Sequence, residues 1–225
     1  MRDSVAGIDY RFDDARVLRA ALTHRSVGAA NYERLEFLGD SVLNLVVAAR
    51  LYELRPEASE GDLSRMRARL VRGATLSEVA ASLGLGQQLS LGEGELKSGG
   101  FRRASILADA FEALLGAIFI DGGYAACRDV VLRLFDPLIA GLPAAEDLKD
   151  PKTRLQEWLQ GRRLPVPAYR IVNVEGEAHA QTFTAECAIA PLAIATLGQG
   201  TSRRVAEQAA AEAAWRAVTA NAPRA

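Results

Sequence analysis

The sequence predicts an α+β protein: a long all-helical part followed by a small α-β-β-β-α unit. Three observations predict it. The first 140 residues show helical spacing or long apolar runs almost without interruption, and no strand alternation is convincing before Tyr169. The segment AGLPAAEDLKDP, residues 140–151, is small and polar and is bracketed by Pro143 and Pro151, as a linker would be. Beyond it, alternating segments lie between two amphipathic helical ones.

In the first part, helices are expected near 14–22, 33–54, 60–71, 74–83, 103–120 and 124–139, with Gly or Pro between them. Residues 84–101, GLGQQLSLGEGELKSGGF, read as a Gly-rich loop. After the linker, TRLQEWLQ is a short helix with Leu155, Trp158 and Leu159 on its apolar face. PAYRIVNVEG and QTFTAECAIA alternate as strands, the second setting Phe183, Ala185, Cys187 and Ile189 on one face. LAIATLGQG is a third candidate strand. SRRVAEQAAAEAAWRAV closes as an Ala-rich helix with Ser202 as its candidate N-cap. The expected boundaries are 1–142, a linker over 143–150, and 151–221.

Composition bounds the function. Apolar residues make up 49% of the 225 and charged residues 24%, which is ordinary for a globular protein. No apolar run reaches the roughly 18 residues of a membrane span, and MRDSVAGIDYRFDD lacks a signal-peptide core, so a cytoplasmic protein without a membrane partner is expected. Cys127 and Cys187 match no metal spacing and read as reduced packing residues. The net charge is −1. Residues 150–225 hold nine basic and seven acidic residues, a net of +2, and residues 1–149 hold the other 18 and 21, a net of −3. Any polyanion must therefore be held by local clusters rather than by bulk charge.

Two helices carry a chemical anomaly. In ERLEFLGDSVLNLVVAA, residues 33–49, Glu36, Asp40 and Asn44 recur every four residues among apolar neighbours. In ILADAFEALLGAIFI, residues 106–120, the two polar residues are Asp109 and Glu112, on the same side. A poorly solvated carboxylate costs several kcal/mol unless a cation compensates it. Neither helix promises a solvated face, so the acids would pair with Arg34, Arg102 or Arg103, or hold a metal. Oxygen-only donors suit Mg²⁺ or Mn²⁺ rather than zinc. Such ions serve phosphoryl chemistry by activating water and neutralising charge on the phosphate. Glu60, just before GDLSRMRARLVR, fits either a helix N-terminus or a further acid of the site.

The residues also carry a resemblance. ERLEFLGDSVL resembles the signature segment of bacterial ribonuclease III. GDLSRMRARLVR, GELKSGGFRRASILADAFEALLGAIFIDGG, DPKTRLQEWLQGR and the terminal SRR-x-AEQAAAE block resemble later parts of the same family in order and spacing. The resemblance implies a helical endonuclease domain, a double-stranded-RNA-binding domain and a homodimer. It implies Mg²⁺-dependent cleavage, with Mn²⁺ as a substitute, giving 5′-phosphate and 3′-hydroxyl ends with short 3′ overhangs. Ribosomal-RNA precursors and structured messengers are the substrates it implies.

Carried over by position, Glu36, Asp40, Asp109 and Glu112 would bind metal, with Asp40 and Glu112 catalytic and Glu33 and Glu60 supporting. Phe37 would enter the partner subunit. Tyr32 departs from the Asn common before ERLE. His24, in LTHRS, reads as a structural hydrogen-bonder.

In the last helix, Arg203 and Arg204 sit in the first turn, the unfavourable end of the macrodipole for cations. Together with free N–H groups they would clamp a phosphate, or they would simply point into water. The resemblance places Thr153, Gln156 and His179 on minor grooves and Ser202, Arg203 and Arg204 on the phosphates between them. Val205 stands where members often carry Lys, which removes one cation. Two rivals are a non-catalytic RNA-binding protein on a degenerate nuclease domain and a helical hydrolase of small phosphate esters.

Overall fold

The computed structural model describes residues 4–144, 148–177 and 180–220. The chain divides into two compact units, Met1–Ala145 and Glu146–Ala225. The first is helical: α1 (Ala15–Ala21), α2 (Glu33–Leu54), α3 (Glu60–Leu70), α4 (Gly73–Ser82), α5 (Glu93–Lys97) and α6 (Ala104–Ala140). The second is α7 (Pro151–Gly161), β1 (Ala168–Glu175), β2 (Thr182–Ile189), β3 (Ile194–Gly200) and α8 (Arg203–Ala220). This is the α+β order the sequence predicts.

Helix ends follow local chemistry. The Asp14 carboxylate accepts from the Arg16 N–H, the Ser59 hydroxyl from the Asp62 N–H, and the Asp150 carboxylate from the Lys152 N–H, each satisfying an orphan donor of a first turn. The expected Ser202 cap is present: its hydroxyl accepts from the Val205 N–H at 3.3 Å. At the start of α2, Asn31 does this work, its side-chain oxygen accepting from the Glu33 N–H at 3.0 Å.

The first half of α6 is the axis of the helical unit. Ile106, Leu107, Ala108, Ala110, Phe111, Ala113, Leu114, Leu115, Ala117 and Ile118 are all buried. Burial of side chains such as Leu114, Leu115 and Phe111 stabilises the unit by about 1.5–3 kcal/mol each. α2 crosses this half, burying Val42, Leu43, Val46, Val47 and Leu51. The expected separate helices over 103–120 and 124–139 form one segment with a break at Gly123, whose φ of 77° and ψ of −176° lie outside helical geometry.

Two expectations are corrected. α2 does have a solvated face in the single chain: Phe37 is 78%, Leu45 57% and Tyr52 74% exposed. These apolar residues lie on the side turned away from α6, so the chain's own core cannot cover them. Residues 84–101 are also more ordered than a Gly-rich loop. They contain α5 and the single 3₁₀ turns Leu85–Gln87 and Gly100–Arg102. Arg103 binds this segment down through Glu95 at 2.9 Å and Ser98 at 3.1 Å.

In the second unit the sheet order is β1-β2-β3, all antiparallel, with Tyr169 opposite Cys187 and Cys187 opposite Thr196. Leu155 and Leu159 of α7, Ala185, Cys187 and Ile189 of β2, and Ala206, Ala210, Ala211, Ala214 and Val218 of α8 form the core. The alanine face of α8 lets it lie close on the sheet. Cys127 and Cys187 are free and buried, as their spacing suggests.

Candidate active site

The anomalous acids converge. Oxygens of Glu36 on α2 and of Asp109 and Glu112 on α6 all lie within 4.8 Å of one another. They line a cleft of about 460 Å³ with His24, Arg25, Tyr32, Glu33, Phe37, Asp40, Glu95 and Arg103. The guanidinium alternative does not hold among the described residues. Arg103 goes to Glu95, and Arg102 stacks on the Phe101 ring at 4.9 Å. Arg34 lines a different groove, beside Leu35, Leu38 and Ile120.

The electrostatics are those of acids whose burial outweighs the nearby cations. Burial first, then the charges of Asp40, Glu36 and Asp109, push the Glu112 carboxyl up to about 8. Burial and the Asp109 charge raise Glu36 as well. Burial raises Asp109, with Arg25 and His24 acting the other way. Burial thus works against the charged form of all three acids, the condition a bound cation relieves.

The donor set fits a hard divalent ion. Metal–oxygen distances of about 2.1 Å put neighbouring oxygens of an octahedral site roughly 3 Å apart and opposite ones roughly 4.2 Å apart, so the three carboxylates, within 4.8 Å of one another, must draw together to share one ion. Zinc's preferred thiolate and imidazole ligands are not among these three.

The other expected residues are placed as follows. Asp40 lines the cleft but is exposed and lies outside the convergent three. The Asn44 amide holds its carboxylate at 2.8 Å. Glu33 is on the rim, 3.6 Å from Arg25, an exposed and therefore weak pair. Phe37 projects beside the acids.

Glu60 is not in this cleft. It is the first residue of α3, accepts from the Ser64 hydroxyl at 2.8 Å, and lines a second cleft with Leu45, Tyr52, Leu63 and Arg67. Its place follows from the helix start that Ser59 caps.

Tyr32 turns inward. It is 2% exposed, and its ring meets His24 edge-on at 5.5 Å. His24 is itself buried and its Nδ1 accepts from the Ser26 N–H at 3.1 Å. The structural reading of His24 fits this geometry.

Arg25, Glu95 and Arg103 line the cleft, yet the sequence pointed to no role there for Arg25 or Glu95, and to Arg103 only as a salt-bridge partner of the acids. Glu95 and Arg103 lie within a family-like block, which was the available signal, and their pairing depends on a loop that composition does not resolve; Arg25 lies outside those blocks.

On the second unit, Thr153, Gln156, Ser202, Arg203 and Arg204 are all exposed. Thr153 and Gln156 share the solvent side of α7, and Arg203 and Arg204 open α8. His179 lies outside the described residues. Val205 is 44% exposed at the same helix end.

Comparison with known proteins bears on both units. The family model described as Ribonuclease-III-like matches residues 14–138, and the Double-stranded RNA binding motif matches residues 151–218. The chain is 59% identical over 207 residues to a ribonuclease 3 of Thiobacillus denitrificans, covering 92% of each. It is 54% identical over 212 residues to one of Vibrio vulnificus, covering 94% of each. A solved structure of the ribonuclease III nuclease domain from Campylobacter jejuni, described as flexible in a region involved in dimer formation, is 43% identical with a TM-score of 0.56. It covers 57% of this chain and 90% of its own.

Proposed function

The chain belongs to the ribonuclease III family of endoribonucleases, and from that premise we propose that it cuts double-stranded RNA with Mg²⁺ held by Glu36, Asp109 and Glu112. The observation that supports this reading is the convergence of those carboxylates within 4.8 Å of one another. A divalent ion there would supply an activated water and charge neutralisation at the scissile phosphate.

The chain's own groups do the rest. The cleft positions the phosphodiester, and Asp40 stands on its wall. Water attacks in line and the 3′ oxygen leaves, giving 5′-phosphate and 3′-hydroxyl ends. The exposed Thr153, Gln156, Ser202, Arg203 and Arg204 meet 2′-hydroxyls and phosphates, selecting duplex RNA by shape. His179 is proposed for the same face.

A homodimer completes the reading. The exposed stripe of Phe37, Leu45 and Tyr52 on α2 is too apolar to remain in water in a stable monomer. A two-fold pairing through this stripe would seat Phe37 in the partner's second cleft. Glu60 lines that cleft, so it would reach the acids only across the pair. Two centres on a two-fold match the local two-folds of a duplex, and staggered cuts with short 3′ overhangs follow. The proposed domain limits are 1–142 and 151–221. The proposed setting is the cytoplasm, with ribosomal-RNA precursors and structured messengers as substrates. No helix of the described residues is long and apolar enough to cross a membrane.

The test is Glu112→Gln. Cleavage of labelled duplex RNA should fall by roughly 10²–10⁴-fold, with binding of the duplex retained. Unchanged cleavage in saturating Mg²⁺ would overturn the metal reading.

A further inference from the structure

We propose that Gly116, together with Gly39, is a positioning residue of the acid cleft. The two glycines let the backbones of α2 and α6 touch, and this contact sets the spacing of Glu36 from Asp109 and Glu112. The inference rests on the metal reading above and adds to it residues that carry no functional group.

The observation is steric. A Cβ on Gly116 would stand 2.1 Å from the Leu35 carbonyl oxygen and 3.0 Å from its carbon. A Cβ on Gly39 would stand 1.8 Å from the Glu112 carbonyl oxygen and 2.9 Å from the Gly116 nitrogen. These neighbours are backbone atoms, so no side-chain swing relieves the contact. Only separation of the helices does, by about 1 Å.

The contacting residues are those of the cleft or adjoin it. Leu35 precedes Glu36, Gly39 lies between Glu36 and Asp40, and Glu112 supplies the touching carbonyl. Gly116 is one turn beyond Glu112. Any added separation therefore acts on the gap between Glu36 and the α6 acids. Their oxygens lie within 4.8 Å of one another, and an octahedral ion bridges oxygens no farther apart than roughly 4.2 Å. A further ångström would leave Glu36 out of reach of an ion held by Asp109 and Glu112. Displacements of that size in a reacting site cost on the order of 100-fold in rate.

A purely structural role would give a different pattern. Any comparable lesion of the same buried helix would then act alike. Leu115 is fully buried and adjacent to Gly116, and Leu115→Ala damages packing without forcing the helices apart. The experiment compares wild type, Gly116→Ala and Leu115→Ala in the full-length chain. Mn²⁺ binding is followed by electron paramagnetic resonance without RNA, with circular dichroism and duplex-RNA binding in EDTA as controls.

The expected result is that Gly116→Ala keeps its dichroism and RNA binding but weakens Mn²⁺ binding by about tenfold or more. Leu115→Ala should bind Mn²⁺ within about twofold of wild type. Equal losses in both variants, or none in Gly116→Ala, overturn the proposal. Failure of Gly116→Ala alone to reach wild-type dichroism assigns the glycine to folding and also overturns it. Absence of Mn²⁺ binding by wild type would instead refute the metal reading itself.

Discussion

The Asn44 side-chain amide donates to the Asp40 carboxylate at 2.8 Å and to the Asp40 carbonyl at 2.9 Å. The two bonds tie Asp40 to its own helix, and it lines the same cleft as Glu36, Asp109 and Glu112 without joining their convergent group. If the bonded oxygen itself turns onto a cation, the Asn44 bond is lost, at about 0.5–1.5 kcal/mol. Asn44→Ala is therefore expected to tighten divalent-ion binding by about two- to tenfold, read by calorimetric titration of Mg²⁺. Weaker binding would show that Asn44 guides Asp40 toward the ion instead.

Glu112 makes metal-free stability depend on pH. Its folded-state carboxyl is raised from 4.5 to about 8. The stabilisation from the protonated form is thus complete below about 4.5 and is lost as pH rises through 8. Glu36 and Asp109 are shifted in the same direction. Urea unfolding in EDTA should show lower stability at pH 8.5 than at pH 5.5, by roughly 2 kcal/mol once partial solvent access is allowed for. Glu112→Gln should flatten the dependence, and Mg²⁺ should reverse it. A metal-free protein that gains stability over this range would refute the assignment.

Phe37 tests the paired state. Burying its ring on association is worth roughly 2–3 kcal/mol. Because a two-fold interface uses it twice, Phe37→Ala should raise the dimer dissociation constant by at least about 100-fold. Sedimentation equilibrium measures this. A dimer of unchanged affinity would move the interface away from this face of α2.

Arg203 and Arg204 test the RNA face. Each phosphate contact removed should lower the slope of log K against log salt by about 1. Arg203→Ala with Arg204→Ala should therefore weaken duplex-RNA binding and flatten its salt dependence by about 2. Filter binding from 50 to 200 mM salt reads both quantities. An unchanged slope would mean that the two side chains are merely solvated.

The elements and the acids were legible because local patterns encode them. The four-residue spacing of Glu36, Asp40 and Asn44 puts them on one helix side whatever the rest of the chain does. The alternation of Phe183, Ala185, Cys187 and Ile189 likewise fixes the inner face of β2. The Ser202 cap follows from its position before an apolar-periodic run. The helix α5 was hidden because five residues, one of them Gly94, carry too little pattern, and their order depends on Arg103 reaching Glu95.

By itself, the sequence determined which residues share a helix side or a strand face, since helical and extended backbones have fixed periods. It therefore determined that two apolar helices carry acids needing a cation. Only the tertiary structure decided which acids meet. Glu36 joins Asp109 and Glu112 because α2 and α6 cross at Gly39 and Gly116. Asp40 stays on the cleft wall, and Glu60 lies in another cleft altogether. A crossing point is set by packing between residues about 77 positions apart, which no local period contains.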